Sequence, residues 1–326
     1  MTDAHFPPRS CPLCGSDKSQ PEVSSRLRAE TMDLDAVQRF WSGLFKERPF
    51  FSYHRCADCG LLYNPVYFDD GQLGALYGDM APNMHIVSNE AIIATQRGYF
   101  ERAKSAGAPL RGGYLEIGPD VGHIVSEAAR IGNFEHFWLF EPNQAIHAPL
   151  HAAAGNNPAT ICADMTDLSP VPDGSVGLAV MIHVLDHLVE PLPMLEQIRK
   201  KLLPGGRLMI VTHNERSLLR KVMGVKWPPF CLQHPEIYSP QTMQALLARA
   251  GYQDVAVERS INSFPIDFLA KQAAWTVGLQ VKRMPLPSLP IPLRLGNILT
   301  MATAPAPTAV NSNNEGLREP SSTILS

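Results

Sequence analysis

Four cysteines in two matching pairs are the first residues of this chain that could do chemistry. Cys11-Pro-Leu-Cys14-Gly15 and Cys56-Ala-Asp-Cys59-Gly60 repeat one Cys-x-x-Cys-Gly pattern. A two-residue spacer followed by glycine lets both sulfurs of a pair face one point. Four thiolates about 2.3 Å from a common centre form the tetrahedral shell of zinc. The protein would supply all four ligands and leave no position for a substrate water, so the expected role is structural. Buried thiols without a metal and a redox pair are the alternatives to this reading. Cys162 and Cys231 stand apart from the repeat.

A second group follows a short apolar run. Leu115-Glu116-Ile117-Gly118-Pro119-Asp120-Val121-Gly122 reads as a strand, a glycine turn and the start of a helix. Such a turn aims backbone amides and a helix N-terminus at a polar ligand group. Gly118 suits the tight turn, and Gly122 a close approach of strand and helix. Glu141 closes the next apolar run, where a carboxylate can accept hydrogen bonds from both ribose hydroxyls of a nucleoside. Asp164, followed by Met165, closes the third run at the position to reach an adenine amino group.

These residues need a scaffold, and the pattern supplies one. Strands are expected over 114–117, 137–140, 160–162, 176–184, 207–212 and 254–258. Helices are expected over 122–131, 143–154, 191–203 and 239–250. Residues 176–184 are almost wholly apolar, as in a strand buried on both faces. Pro204-Gly205-Gly206 reads as a helix stop, Ser239 as an N-cap and Gly251 as a helix end. Alternation at this spacing predicts βαβ units and a parallel sheet covered on both sides. Leu34, Val37, Trp41 and Leu44 recur at helical spacing between the cysteine pairs, and a further helix is expected over 91–105. Residues 264–281 read as an amphipathic helix, and 284–292 carry too many prolines for a central strand. Residues 297–303 return as a last strand.

Composition narrows the classes of function. The chain has 326 residues, 45% hydrophobic and 18% charged, and a formal net charge of −3. That is ample for a packed core, and it opposes a general grip on nucleic acid or anionic lipid. No apolar run approaches the roughly 20 residues that span a bilayer, and the first twenty residues lack a signal-like apolar core. A cytoplasmic protein with reduced thiols is expected.

Residues 109–260 resemble a class I S-adenosylmethionine-dependent methyltransferase. The resemblance lies in 115–122, 139–143, 163–165, His183-Val-Leu-Asp-His-Leu188, Leu203-Pro-Gly-Gly-Arg-Leu-Met-Ile210 and 239–251, in the family's order. It implies a Rossmann-like seven-stranded methyltransferase sheet that binds S-adenosylmethionine through Glu116, Gly118, Asp120, Gly122, Glu141, Asp164 and Met165. Asp120 stands where the family's usual loop has a further glycine. A four-cysteine zinc module before this fold is similar to sugar C-methyltransferases, whose histidine-rich segment Leu232-Gln-His-Pro-Glu-Ile-Tyr-Ser239 echoes in part. The extra C-terminal domain of those enzymes has no room here. The domain reading is a zinc module over 1–65, a helical connector over 66–108, and a methyltransferase domain over 109–303. A lid-like insertion over 263–296 interrupts that domain, and 304–326 form a disordered tail.

Methyl transfer to a hydroxyl or a carbon acid needs a proton acceptor. His183, His187, His213, His234 and Tyr238 are the candidates, with His234 first and His187 second. His183 has the alternative of shaping the cofactor pocket. Trp227, Phe230 and Tyr238 either line an acceptor pocket or pack against the sheet. The implied acceptor is a small molecule, such as a sugar or nucleotide-sugar, with no nucleic acid and no transmembrane segment. The alternative is a non-catalytic zinc-containing scaffold or binding protein on the same fold.

Overall fold

The structure is a computed structural model that describes residues 6–41, 48–78, 88–276, 279 and 285–306. Leu44, most of the expected tail, and residues 277–278 and 280–284 of the expected lid lie outside the described residues. The chain begins with β1 (Ser19–Val23), α1 (Leu34–Gln38), β2 (Tyr53–Cys56), β3 (Leu62–Tyr63), α2 (Asp70–Gly78) and α3 (Asn89–Ser105). Asp33 caps α1 by accepting from Ala36 N–H, and Val37 and Trp41 are buried among Phe51, Tyr67 and Phe68. The middle runs β4 (Arg111–Ile117), α4 (His123–Ile131), β5 (Asn133–Phe140), α5 (His147–Ala154), β6 (Ala159–Cys162) and β7 (Val176–Ile182). It continues with α6 (Pro191–Lys201), β8 (Leu202–His213), α7 (Leu218–Met223), β9 (Glu236–Ile237), α8 (Pro240–Arg249) and β10 (Gln253–Arg259). A hairpin of β11 (Asn262–Pro265) and β12 (Pro290–Leu293) encloses α9 (Ile266–Thr276), and β13 (Asn297–Thr303) closes the chain.

Seven strands form one sheet in the order β10-β13-β8-β7-β4-β5-β6. The five from β8 to β6 are parallel, and β13 runs antiparallel between β8 and β10. Alternate residues of each central strand face opposite layers. Leu115, Ile117, Ala179, Met181, Leu208 and Ile210 pack toward α6 and α8. Tyr114, Leu178, Val180, Met209 and Val211 pack toward α3, α4 and α5. The connections reverse direction between β4 and β7, so the crevice at their carboxyl ends is the switch point where open α/β sheets take ligands.

The structure moves several boundaries. β5 starts at Asn133 rather than 137, because Arg111 to Ile117 of β4 pair with Asn133 to Phe140 in one long parallel ladder. α6 stops at Lys201, and Pro204-Gly205-Gly206 sits within β8 as an irregularity. There Val176 pairs with Leu202, but Leu178 pairs with Arg207. A Cβ on Gly206 would lie 2.9 Å from the Val176 carbonyl oxygen, so the crossing strand needs glycine there. Ser239 caps α8 in a reciprocal capping box with Thr242.

The N-terminal sheet has the order β1-β2-β3-β9, so its last strand comes from residues 236–237 and not from the first 65. Cys11, Leu13, Cys56, Leu61 and Tyr63 join the same apolar cluster as the core of the large sheet. The described part of 263–296 packs its hairpin against α3, with Ser263 N–H donating to Thr95 Oγ1. Ala304 extends the β13 ladder through bonds with Gly205 and Gly206. No described helix is long and apolar enough to cross a membrane.

Candidate functional site

The two cysteine knuckles have one geometry. Gly15 N–H donates to the Cys11 carbonyl, Gly60 N–H donates to the Cys56 carbonyl, and both glycines hold φ near +75°. That left-handed conformation is what each glycine is for. The Sγ atoms approach to 3.4 Å (Cys11–Cys59) and 3.5 Å (Cys14–Cys56), and all four lie within 4.8 Å of one another. Ligands at 2.3 Å on a tetrahedral metal would be about 3.8 Å apart. Burial drives the Cys11 thiol up and the Cys59 thiol to about 12. Burial also opposes charge on Cys56, but amides of Cys59 and Asp58 outweigh it and hold that thiol at about 7. The donor set fits a tetrahedral cation that supplies the positive charge four crowded sulfurs need.

The crevice residues are brought into line by register. Ile117 lies opposite Phe140, and Phe140 opposite Cys162, so Gly118, Glu141 and the segment of Asp164 and Met165 follow three adjacent strand ends. Gly118 (φ +67°) and Gly122 (φ +80°) take left-handed conformations. Asp120 does the same at φ +51°, a conformation that aspartate tolerates better than most residues. A Cβ on Gly118 would meet Val184 at 2.6 Å. A Cβ on Gly122 would meet Ala153 at 2.7 Å and Leu150 at 2.8 Å. Gly122 therefore admits α5, rather than the strand its position suggests.

Glu141 accepts from the Asp120 and Asn143 amides, and burial raises its carboxyl. Glu116 is buried against Tyr114, which donates to it, and burial pushes its carboxyl up to about 8. Asp164 is exposed, with Oδ1 accepting from the Thr166 amide and hydroxyl, and those bonds hold its carboxyl down. Met165 is half-buried against the core.

Four histidines meet beside this crevice. His183 leaves β7 at φ +53° and its ring lies 4.6 Å from that of His213 at the end of β8. His187 lies in the turn Leu185–His187, and its Nε2 is 3.2 Å from Nε2 of His234. The His234 and His213 rings are 5.0 Å apart. Asp186 sits among them, fully buried, its Oδ2 accepting from the His213 amide at 3.2 Å. Burial opposes its charge, yet the four imidazoles, His213 foremost, hold it below the usual carboxylate range. Burial pushes His187 down to about 3, aided by His234. Burial also opposes charge on His234, but Cys231 and then Asp186 outweigh it and lift that ring to about 9.

The expected candidates His183, His187 and His234 are thus neighbours, with His213 among them. Sequence reasoning does not single out Asp186 or Asn297. The Asn297 amide spans His183 Nε2 (3.2 Å) and His213 Nδ1 (3.1 Å). Position at a carboxyl strand end marks Asp186, but nothing local marks Asn297. Trp227, Phe230 and Tyr238 are buried. Phe230 stacks on Phe50, and the Trp227 ring edges His213 at 6.2 Å.

The N-terminal module and the start of the segment after it hold the His234 loop from one side. Tyr53 Oη donates to the His234 carbonyl at 2.6 Å, and Tyr67 Oη donates to that of Leu232 at 2.5 Å. Arg9 pairs with buried Glu236 at 3.0 Å and donates to the Val189 carbonyl at 2.6 Å.

A family model described as a methyltransferase domain matches residues 95–257, half of the chain. None of the curated proteins matches. Among solved structures, an S-adenosylmethionine-dependent methyltransferase of Archaeoglobus fulgidus is 16% identical, covering 66% of this chain and 94% of its own, at a TM-score of 0.45. One from Mesorhizobium loti is 15% identical, covering 62% of this chain and 96% of its own, at a TM-score of 0.42.

Proposed function

The chain belongs to the methyltransferase-domain family, and from that premise we propose that it transfers the methyl group of S-adenosylmethionine to a small-molecule acceptor of the sugar or nucleotide-sugar class. The observation that carries this reading is a juxtaposition. The glycine loop at the end of β4 touches Val184, and Val184 sits between His183 and the turn that carries His187. Cofactor loop and imidazoles therefore border one crevice.

In this reading Glu141 takes the ribose hydroxyls, and the loop from Gly118 to Gly122 receives the methionine end. Asp164 and Met165 flank the adenine, and Glu116 braces the loop from below. Asp120, in the left-handed conformation, does the work of the glycine it replaces, which favours a working loop over a decayed one. S-adenosylmethionine supplies an electrophilic methyl on a sulfonium. The chain must align the acceptor with it and manage the acceptor's proton. His183, His187 and His234 are proposed for the acceptor side of the crevice.

We also propose that Cys11, Cys14, Cys56 and Cys59 hold a structural zinc. Its consequence reaches the crevice, because the module it closes supplies β3 to β9 and the hydroxyl of Tyr53 to the His234 loop. Titration calorimetry of the zinc-loaded chain with S-adenosylhomocysteine tests the main reading. Binding near one equivalent, weakened at least tenfold in Glu141→Ala, is expected. A folded, zinc-loaded sample that does not bind overturns it.

A further inference from the structure

We infer that Asp186, His187 and His234 form a second metal site, which holds a divalent cation with a coordination position open to an oxygen of the acceptor. The acceptor part rests on the methyl-transfer reading, whereas the cation site stands on the geometry alone.

Three observations converge. The two Nε2 atoms lie 3.2 Å apart. Nitrogens at 2.0–2.1 Å from a tetrahedral metal are separated by about 3.3 Å. His234 is oriented from behind: Nδ1 lies 2.7 Å from the Pro229 carbonyl, which only accepts, and 3.4 Å from Cys231 Sγ, so Nδ1 carries a hydrogen, and Nε2 faces inward, where a cation takes the place of any proton. A backbone carbonyl on the far nitrogen is the usual brace of a metal-bound imidazole. Asp186 is fully buried and its Oδ1 has no hydrogen-bond partner. A buried carboxylate oxygen without a donor is costly and calls for a cation or an ion-bound water. No lysine or arginine pairs with Asp186 among the described residues. Donor atoms of the three side chains all lie within 4.8 Å of one another.

His183, Asp186 and His213 are equally close, yet they fit less well. The single amide of Asn297 contacts both rings. It accepts from one imidazole only while it donates to the other, so the two rings cannot both turn a lone pair inward. Two imidazoles and one carboxylate leave a position for a substrate atom, the arrangement of a catalytic rather than a structural centre. Nitrogen and oxygen donors also separate this site chemically from the four thiols.

The test is a titration of the zinc-loaded chain with Co²⁺, followed by visible absorption. One equivalent is expected to bind with d–d bands and without the near-ultraviolet sulfur-to-cobalt band that exchange into the thiol site would give. Asp186→Asn and His187→Gln are expected to weaken binding at least tenfold while retaining the first zinc and the fold. His234→Gln is the second variant for the same loss. No visible band up to millimolar Co²⁺, or affinity unchanged in His187→Gln, overturns the site and leaves an imidazole–imidazole hydrogen bond in its place. S-adenosylhomocysteine binding on the same sample separates the two failures. Binding without cobalt overturns the metal site alone, and no binding overturns the methyl-transfer reading whatever cobalt does.

Discussion

The chain gathers its reactive side chains into two clusters, and they are built in opposite ways. The four thiols come from two short knuckles of identical conformation, each closed by a glycine at φ near +75°. The histidine cluster is assembled from the ends of β7 and β8, the turn after β7 that carries His187 and a loop whose His234 lies 47 residues further on, braced by a residue of β13. A closed tetrahedral set holds a cation and does nothing else with it. The histidine cluster instead keeps a buried carboxylate with a vacant oxygen beside the crevice. One cluster is thereby suited to holding the fold and the other to handling a substrate.

Replacing a thiol should break this contrast most severely. Cys56→Ser is expected to lose the zinc and lower the melting temperature by at least about 10 °C, because structural zinc contributes on the order of 10 kcal/mol in small modules. Elemental analysis with calorimetric melting checks it, and a metal-free chain that melts unchanged would deny the module its structural role.

The histidine cluster should behave differently. His234→Gln is expected to reduce kcat about 10²- to 10³-fold, with S-adenosylhomocysteine affinity within about twofold of the parent. Equal losses in both quantities would move His234 to the cofactor side of the crevice.

A smaller effect separates the crevice from the cluster. Glu141→Ala removes the acceptor of two amide bonds and the proposed ribose contact. At about 1.5–3 kcal/mol for hydrogen bonds to a charged group, it should cost roughly ten- to hundredfold in cofactor affinity. Zinc content and Co²⁺ binding should not change.

The smallest change probes the link between the clusters. Tyr53→Phe deletes the hydroxyl bonded to the His234 carbonyl. It should cost about 1 kcal/mol of stability and lower kcat severalfold with zinc retained. Unchanged turnover would mean that the module supports the fold without positioning the loop.

Legibility followed distance along the chain. The knuckles and the glycine turn are local, so spacing alone announces them. The same holds for Ser239 and Gly251 at the ends of α8, where caps act within one turn. The apolar run of β7 is equally plain, whereas the strand over 297–303 follows a segment with no clear period and is fixed by its pairing with β8. The start of β5 is not legible, because Asn133 to His136 carry no clear alternation, and pairing with β4 draws them into the ladder. β9 is not legible either, because two residues have no period. It exists because β3 offers a partner edge. At Gly122 the sequence shows that a close approach is needed but not that α5, rather than a strand, makes it.

By itself, the sequence determined that two cysteine pairs share one geometry, that strands and helices alternate, and that a glycine turn with Glu141 and Asp164 follows successive strands. Each of these rests on interactions spanning a few residues. Only the tertiary structure decided that His187 and His234 face each other, that Asp186 is buried with an oxygen unspent, and that the thiol module grips the loop carrying His234. Those contacts join residues tens to hundreds of positions apart. Their geometry is fixed by sheet register and core packing, which no local pattern encodes.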